Sequence, residues 1–108
     1  MSVLADIIEA EADEVSAFVL LLGEEQEALK SGNPEALPDI VARKSTVAGR
    51  ISELTGRRNA ALARNGLPAD RPGVAGWIEK NPGDTAARKG WERLQRLAEE
   101  ARELNRVN

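Results

Sequence analysis

Four charged side chains stand where a helical core expects apolar ones: Glu11, Glu25, Lys44 and Arg58. Alternating steps of four and three from Leu4 give Ile8, Glu11, Val15, Phe18, Leu22, Glu25 and Leu29. That is a heptad core with six apolar sites out of eight. A second set runs Ile40, Lys44, Val47, Ile51, Leu54, Arg58, Ala61 and Asn65. Folding the chain back between the sets pairs residues whose numbers sum to 69, so Glu25 meets Lys44 and Glu11 meets Arg58. A buried carboxylate beside a cation could support acid–base chemistry. Each layer holds one carboxylate, however, and the sequence has no histidine and no cysteine. The commonest general base, the commonest metal ligand and the thiol nucleophile are thereby missing. No Gly-rich phosphate loop, nucleophile elbow or metal-ligand spacing replaces them. The chain reads as a non-enzyme without a cofactor, and the ion pairs as devices that fix hairpin register at some cost in stability.

The elements that position these residues can be read from punctuation. A first helix spans about residues 3–30, roughly 40 Å at ~1.5 Å per residue. Ser31 and Gly32 stop it, Asn33 is placed to cap the next helical turn, and Pro34 suits a first helical position. Pro38 forces a short turn and a restart, with a second helix over about 38–64 that ends at Asn65-Gly66 before Pro68. Residues 67–83 hold three prolines and three glycines, a connector with one short helix over about 72–80 around Val74, Trp77 and Ile78. Asp84 can cap a C-terminal helix over about 85–108. Its apolar face is Ala87, Trp91, Leu94, Leu97, Ala98, Ala101 and Leu104. The fold class is all-α: a single domain over 1–108, built on a long, coiled-coil-like antiparallel hairpin with a connector helix and a third C-terminal helix. One side of the hairpin is lined by Ala5, Ala12, Val19 and Gln26 against Val41, Ala48, Thr55 and Leu62, the expected bed for that last helix.

Charge is distributed unevenly within a net −3. Residues 1–30 carry eight acids against one lysine, whereas residues 31–66 carry six cations against three acids, which favours pairing of the two long helices. Arg43, Arg50, Arg57 and Arg64 recur once per heptad. Without aromatic interleaving or a positive total charge they read as a solvated face, not a nucleic-acid surface. No apolar run approaches the ~18 residues of a membrane span, and the start lacks a signal peptide's pattern, so a soluble cytoplasmic protein is expected. Two features ask for a partner. Phe18 to Leu22 is apolar all round a helix, which leaves Leu20 opposite the seam. The C-terminal helix has more apolar surface than one side of the hairpin requires, as helix-binding devices do. Small residues Ala42, Gly49, Gly56 and Ala63 also recur on the outside of the second helix, at a helix-propensity cost for each glycine. A self-associating coiled coil, such as a homodimer, or a hairpin adaptor with another partner is the alternative to a dedicated chaperone.

In order and spacing, the chain resembles the FlgN-type flagellar export chaperones. The likeness runs from Leu21-Leu22-Gly23-Glu24-Glu25-Gln26-Glu27-Ala28-Leu29 through Ser31-Gly32-Asn33, Leu37, Lys44, Leu54 and Arg58. It continues through Leu62-Ala63-Arg64-Asn65-Gly66-Leu67-Pro68 and Trp77, and closes on Trp91, Leu94 and an Asn105-x-x-Asn108 signature. The resemblance implies a cytoplasmic, non-enzymatic chaperone of flagellar type III secretion. Such a protein binds the C-terminal helical segments of hook-associated (hook–filament junction) proteins, prevents their premature assembly and delivers them to the export apparatus. It also implies that partner binding lies toward the C-terminal helix and its tail. Combined with the residue reading, the expected partner-binding set is Leu20, Trp91, Leu94, Leu97, Ala98, Ala101, Leu104, Asn105 and Asn108. No cofactor, metal or nucleic acid is expected.

Overall fold

The computed structural model describes residues 2–107, with the side chain of residue 107 outside the description. Helix α1 spans Val3–Lys30, a 3-10 turn covers Pro34–Ala36, α2 spans Leu37–Arg64, α3 Asp70–Lys80 and α4 Thr85–Val107. The molecule is an elongated all-α bundle of 51 × 21 × 20 Å.

Helix α1 ends as its residues dictate. Gly32 takes φ +68, and the Asn33 amide donates to the Ala28 carbonyl at 2.9 Å, closing a Schellman-type cap. Asn33 makes no side-chain capping bond to the 3-10 turn, so its expected capping role is filled by backbone geometry. This turn brings α2 back over Ala28, which is buried, and leaves Leu29 56% exposed. The expected Leu29–Ile40 layer is therefore replaced: Ile40 is buried beside Ala28. Of the other layers, Leu22 and Val47 are both buried and both charge layers form.

Helix α4 runs parallel to α1, because α3 and the Asn81–Asp84 turn return the chain to the start of α1. Asp84 fastens the two adjacent N-termini. Its Oδ1 accepts from the Ala87 amide at 3.2 Å, capping α4. Its Oδ2 accepts from Ser2 Oγ at 2.6 Å and Trp77 Nε1 at 3.0 Å. Ser2 Oγ in turn accepts from the Ala5 amide, capping α1. One carboxylate thus faces two parallel helix dipoles, whose positive ends it stabilises. The Ser2 hydroxyl foremost, with Trp77 and the Ala87 amide, holds the Asp84 carboxyl below its ordinary value.

The apolar core gathers where all four helices meet, around Leu4, Ile8, Ala12, Val15, Ala61, Leu62, Val74 and Leu94. Gly90 permits the α1–α4 approach, since a Cβ there would lie 3.1 Å from Ile8 Cγ2. Packing of α3 requires Gly73, where an added Cβ would fall 1.7 Å from the Pro68 carbonyl oxygen.

Candidate partner-binding site

The expected bed is only half used. Helix α4 lies along the Ala5, Ala12, Val19 and Gln26 side of α1, and Gln26 Nε2 reaches the Leu104 carbonyl at 3.4 Å. No Cα of α2 comes within 8 Å of a Cα of α4 among the described residues. On the α2 half of the bed, Leu62 is covered, whereas Val41 is 54% exposed and Ala48 is exposed. Two contacts hold α4 off α2. Helix α3 packs Gly73 and Val74 over Leu62. The Trp91 ring sits 5.1 Å from the Arg58 guanidinium and occupies the space between the helices at that level. The result is a cleft with α1 as its floor and α2 and α4 as its walls.

A buried ionic cluster closes one end of the cleft. Arg58 Nη1 donates to both oxygens of Glu11, at 3.1 and 2.9 Å, and Thr55 Oγ1 donates to Glu11 Oε2 at 3.1 Å. Both charged groups are nearly inaccessible, Glu11 at 2% and Arg58 at 6%. Burial foremost pushes the Glu11 carboxyl above its ordinary value, against the opposing pull of Arg58 and Thr55. Arg58 Nη2 also reaches Asp70 Oδ1 at 3.3 Å. Asp70 adopts φ +63, a left-handed conformation costly for a residue with a Cβ. Asn59 holds it there, accepting from the Asp70 amide at 2.9 Å and donating to its carboxylate at 3.1 Å. Arg58 Nε is buried without a hydrogen-bond partner. The Glu11 carboxylate is thus already committed to Arg58 and Thr55, and the cluster walls off this end of the cleft.

Helix α4 presents two adjoining faces. Ala87, Gly90, Leu94, Leu97, Ala101 and Leu104 form one series, in which Gly90 meets Ile8 of α1 and Leu94 is buried in the core. Trp91, Gln95, Ala98, Arg102 and Asn105 form a second series at spacings of four and three, of which Trp91, Gln95, Ala98 and Arg102 line the cleft beside Val15, Ile51 and Thr55. With its amide oxygen turned to the donors, Gln95 accepts from Arg71 Nε at 3.1 Å and Trp91 Nε1 at 3.3 Å. The expected partner residues are therefore divided. Trp91 and Ala98 stand half-buried at the cleft, Leu94 is buried in the core and also lines the cleft, Leu97 packs against that core, and Ala101 and Leu104 are half-buried. Asn105 is exposed, and Asn108 lies outside the described residues.

Leu20 stands on the opposite side, 69% exposed, at the edge of a shallow depression with Ala17, Leu21, Thr46 and Val47. Across this depression Arg43 pairs with Glu24 and Arg50 with Glu14, both at 3.4 Å. Arg57 pairs with Glu53 on its own helix, so three members of the arginine stripe already have carboxylate partners. Nothing lies within 4 Å of a Cβ added at Gly49 or Gly56. Sequence reasoning did not single out Arg71, Gln95 and Arg102. The second four-and-three series on α4 was the available signal for Gln95 and Arg102, and Arg71, on α3, had none.

No helix among the described residues is long and apolar enough to cross a membrane, and no group of three or more acidic side chains among them is placed to hold a metal ion. A family model described as FlgN protein matches residues 1–108, the whole chain. No curated protein and no solved structure matches.

Proposed function

Because this chain belongs to the FlgN family of flagellar export chaperones, we propose that it binds the C-terminal helical segments of hook-associated proteins in the cytoplasm. Bound this way, it keeps those segments from assembling prematurely and delivers them to the flagellar type III export apparatus. The observation that carries the reading is the second face of α4. Trp91 and Ala98 remain half-buried after α4 has packed on α1, and although Arg58 stacks on the Trp91 ring, no Cα of α2 comes within 8 Å of a Cα of α4 among the described residues.

The physical task suits such a surface. Junction proteins that polymerise through amphipathic terminal helices expose apolar stripes before assembly. A chaperone masks a stripe by supplying the missing helical face, at about 25 cal/mol per Å² of apolar area buried. Release at the export gate requires reversibility, so a moderate affinity serves better than a permanent one. The reaction needs no bond making, and the ion pairs here are structural.

Co-purification with the C-terminal segment of a hook-associated protein from the same genome tests this. Failure of the full-length protein to retain any such segment at tens of micromolar, equivalent to about −6 kcal/mol of binding free energy, would defeat it.

Leu20 supports a second reading, self-association through the opposite face. Sedimentation equilibrium would then show a homodimer that Leu20→Glu dissociates. A monomer indifferent to the change removes that alternative.

A further inference from the structure

We propose that the cleft between α2 and α4 is a slot for one amphipathic helix bearing a carboxylate, which meets Arg71 and Arg102. The proposal rests on the helix-binding reading above and specifies where the helix lies and what chemistry selects it.

Shape indicates a helix. Helix α1 has α2 on one side and α4 on another; among the described residues no Cα of one comes within 8 Å of a Cα of the other, and the Trp91–Arg58 contact bridges them at one level. A fourth helix laid in the gap completes a four-helix arrangement. From Trp91 to Arg102 the α4 wall runs about 17 Å, three turns of an α-helix. The walls are small where a helix must come close, with Thr55 on α2 and Ala98 on α4. Interaxial distances of about 8–10 Å need such side chains. Val41 and Ala48, exposed on α2 beyond this stretch, extend the same wall toward the hairpin turn.

Charge indicates the carboxylate. Three arginines line the cleft, Arg58, Arg71 and Arg102, against one acid, Glu11. Glu11 is committed to Arg58. Arg71 makes no salt bridge among the described residues, and its Nε is oriented by the Gln95 amide oxygen. Among the described residues Arg102 pairs only with Glu99, three residues back on its own exposed face. Such a pair is worth little and exchanges readily. An incoming Asp or Glu therefore finds one guanidinium outside any salt bridge among the described residues, though within the field of exposed Glu99, and a second that can turn to it. A lysine at the same point of the incoming helix meets like charge, which gives the slot selectivity as well as affinity.

The test is a titration of the ¹⁵N-labelled full chain with the C-terminal helical segment of a hook-associated protein from the same genome. Two indole N–H resonances report separately, Trp91 in the cleft and Trp77 bonded to Asp84 outside it. Binding in the slot moves the Trp91 signal and leaves the Trp77 signal in place. Arg71→Glu weakens binding tenfold or more, and replacing the contacting acid of the segment by lysine restores it. Arg96→Glu, the same charge change on the outer side of α4, leaves affinity within twofold. A complex that forms with an unmoved Trp91 signal and unchanged affinity for Arg71→Glu overturns the slot and leaves the chaperone reading standing. Absence of any complex overturns both. A Trp91 signal that shifts with chain concentration alone assigns the cleft to a second copy and also overturns the proposal.

Discussion

Replacing Arg58 by alanine should be among the most damaging single changes in the hairpin. Glu11, 2% exposed, would keep only the Thr55 hydroxyl as a donor. At 2.9 Å and an effective dielectric constant near 20, the lost Coulomb attraction is about 6 kcal/mol. Relief of the arginine's own desolvation offsets part of that, so the net loss expected from breaking one partner of a buried pair is about 3–5 kcal/mol. Against a total stability of about 5–15 kcal/mol for a domain of this kind, Arg58→Ala leaves little margin. The double replacement Glu11→Leu with Arg58→Met removes both charges. It should fall within about 1 kcal/mol of the unsubstituted protein or exceed it. Urea unfolding followed by circular dichroism at 222 nm gives both values. A loss below about 1 kcal/mol for Arg58→Ala, or losses that simply add in the double variant, would refute the reasoning.

The same pair predicts a pH dependence. A carboxyl whose pKa is raised by folding contributes stability that is full below its unfolded value, about 4.3, and lost as pH rises through the folded value. Removing Arg58 takes away the chief opposing influence and raises Glu11 further. The destabilisation by Arg58→Ala should therefore be smaller at pH 5 than at pH 8.

Three further outcomes are expected at named positions. Gly73→Ala forces a Cβ to 1.7 Å from the Pro68 carbonyl and 2.9 Å from Leu62 Cδ1. Backbone must move, and a loss above about 2 kcal/mol is expected in the same urea assay. Gly49→Ala and Gly56→Ala meet nothing within 4 Å and should each stabilise by about 0.5–1 kcal/mol. If either variant loses partner binding while gaining stability, the outer face of α2 is a docking surface after all. Asp84→Asn should cost about 0.5–1 kcal/mol at pH 7 through the weakened charge–dipole interaction. The depressed folded pKa of Asp84 gives stability that is present above its unfolded value of about 3.9 and lost as pH falls through the lower folded one. The difference between the two proteins should therefore close in acid, and one that stays constant to pH 2 would contradict the assignment.

Much of the hairpin was legible because charge adds information that apolar spacing lacks. A heptad seam can slip by a heptad, but a slipped seam would not set Glu11 against Arg58 and Glu25 against Lys44. The failure at Leu29 has a local cause. Seam spacing says nothing of the direction in which a Schellman turn returns the chain, and here it favours Ala28. The bed for α4 could be read from Ala5, Ala12 and Val19, but that pattern lines both long helices and does not say which one α4 follows. The choice is made by Trp91 over Arg58 and by α3 over Leu62, contacts between segments far apart in sequence. The cleft was hidden for the same reason. It is a place that α4 does not cover, and only the assembled fold shows a vacancy between elements.

The most direct test of the chaperone reading is calorimetric titration of the full chain with the C-terminal segment of a hook-associated protein from the same genome. One segment should bind per chain with a dissociation constant of about 10 μM or tighter, about −7 kcal/mol. Apolar burial should give the association a negative heat-capacity change. No binding at concentrations about tenfold above that constant, roughly 100 μM, would contradict it.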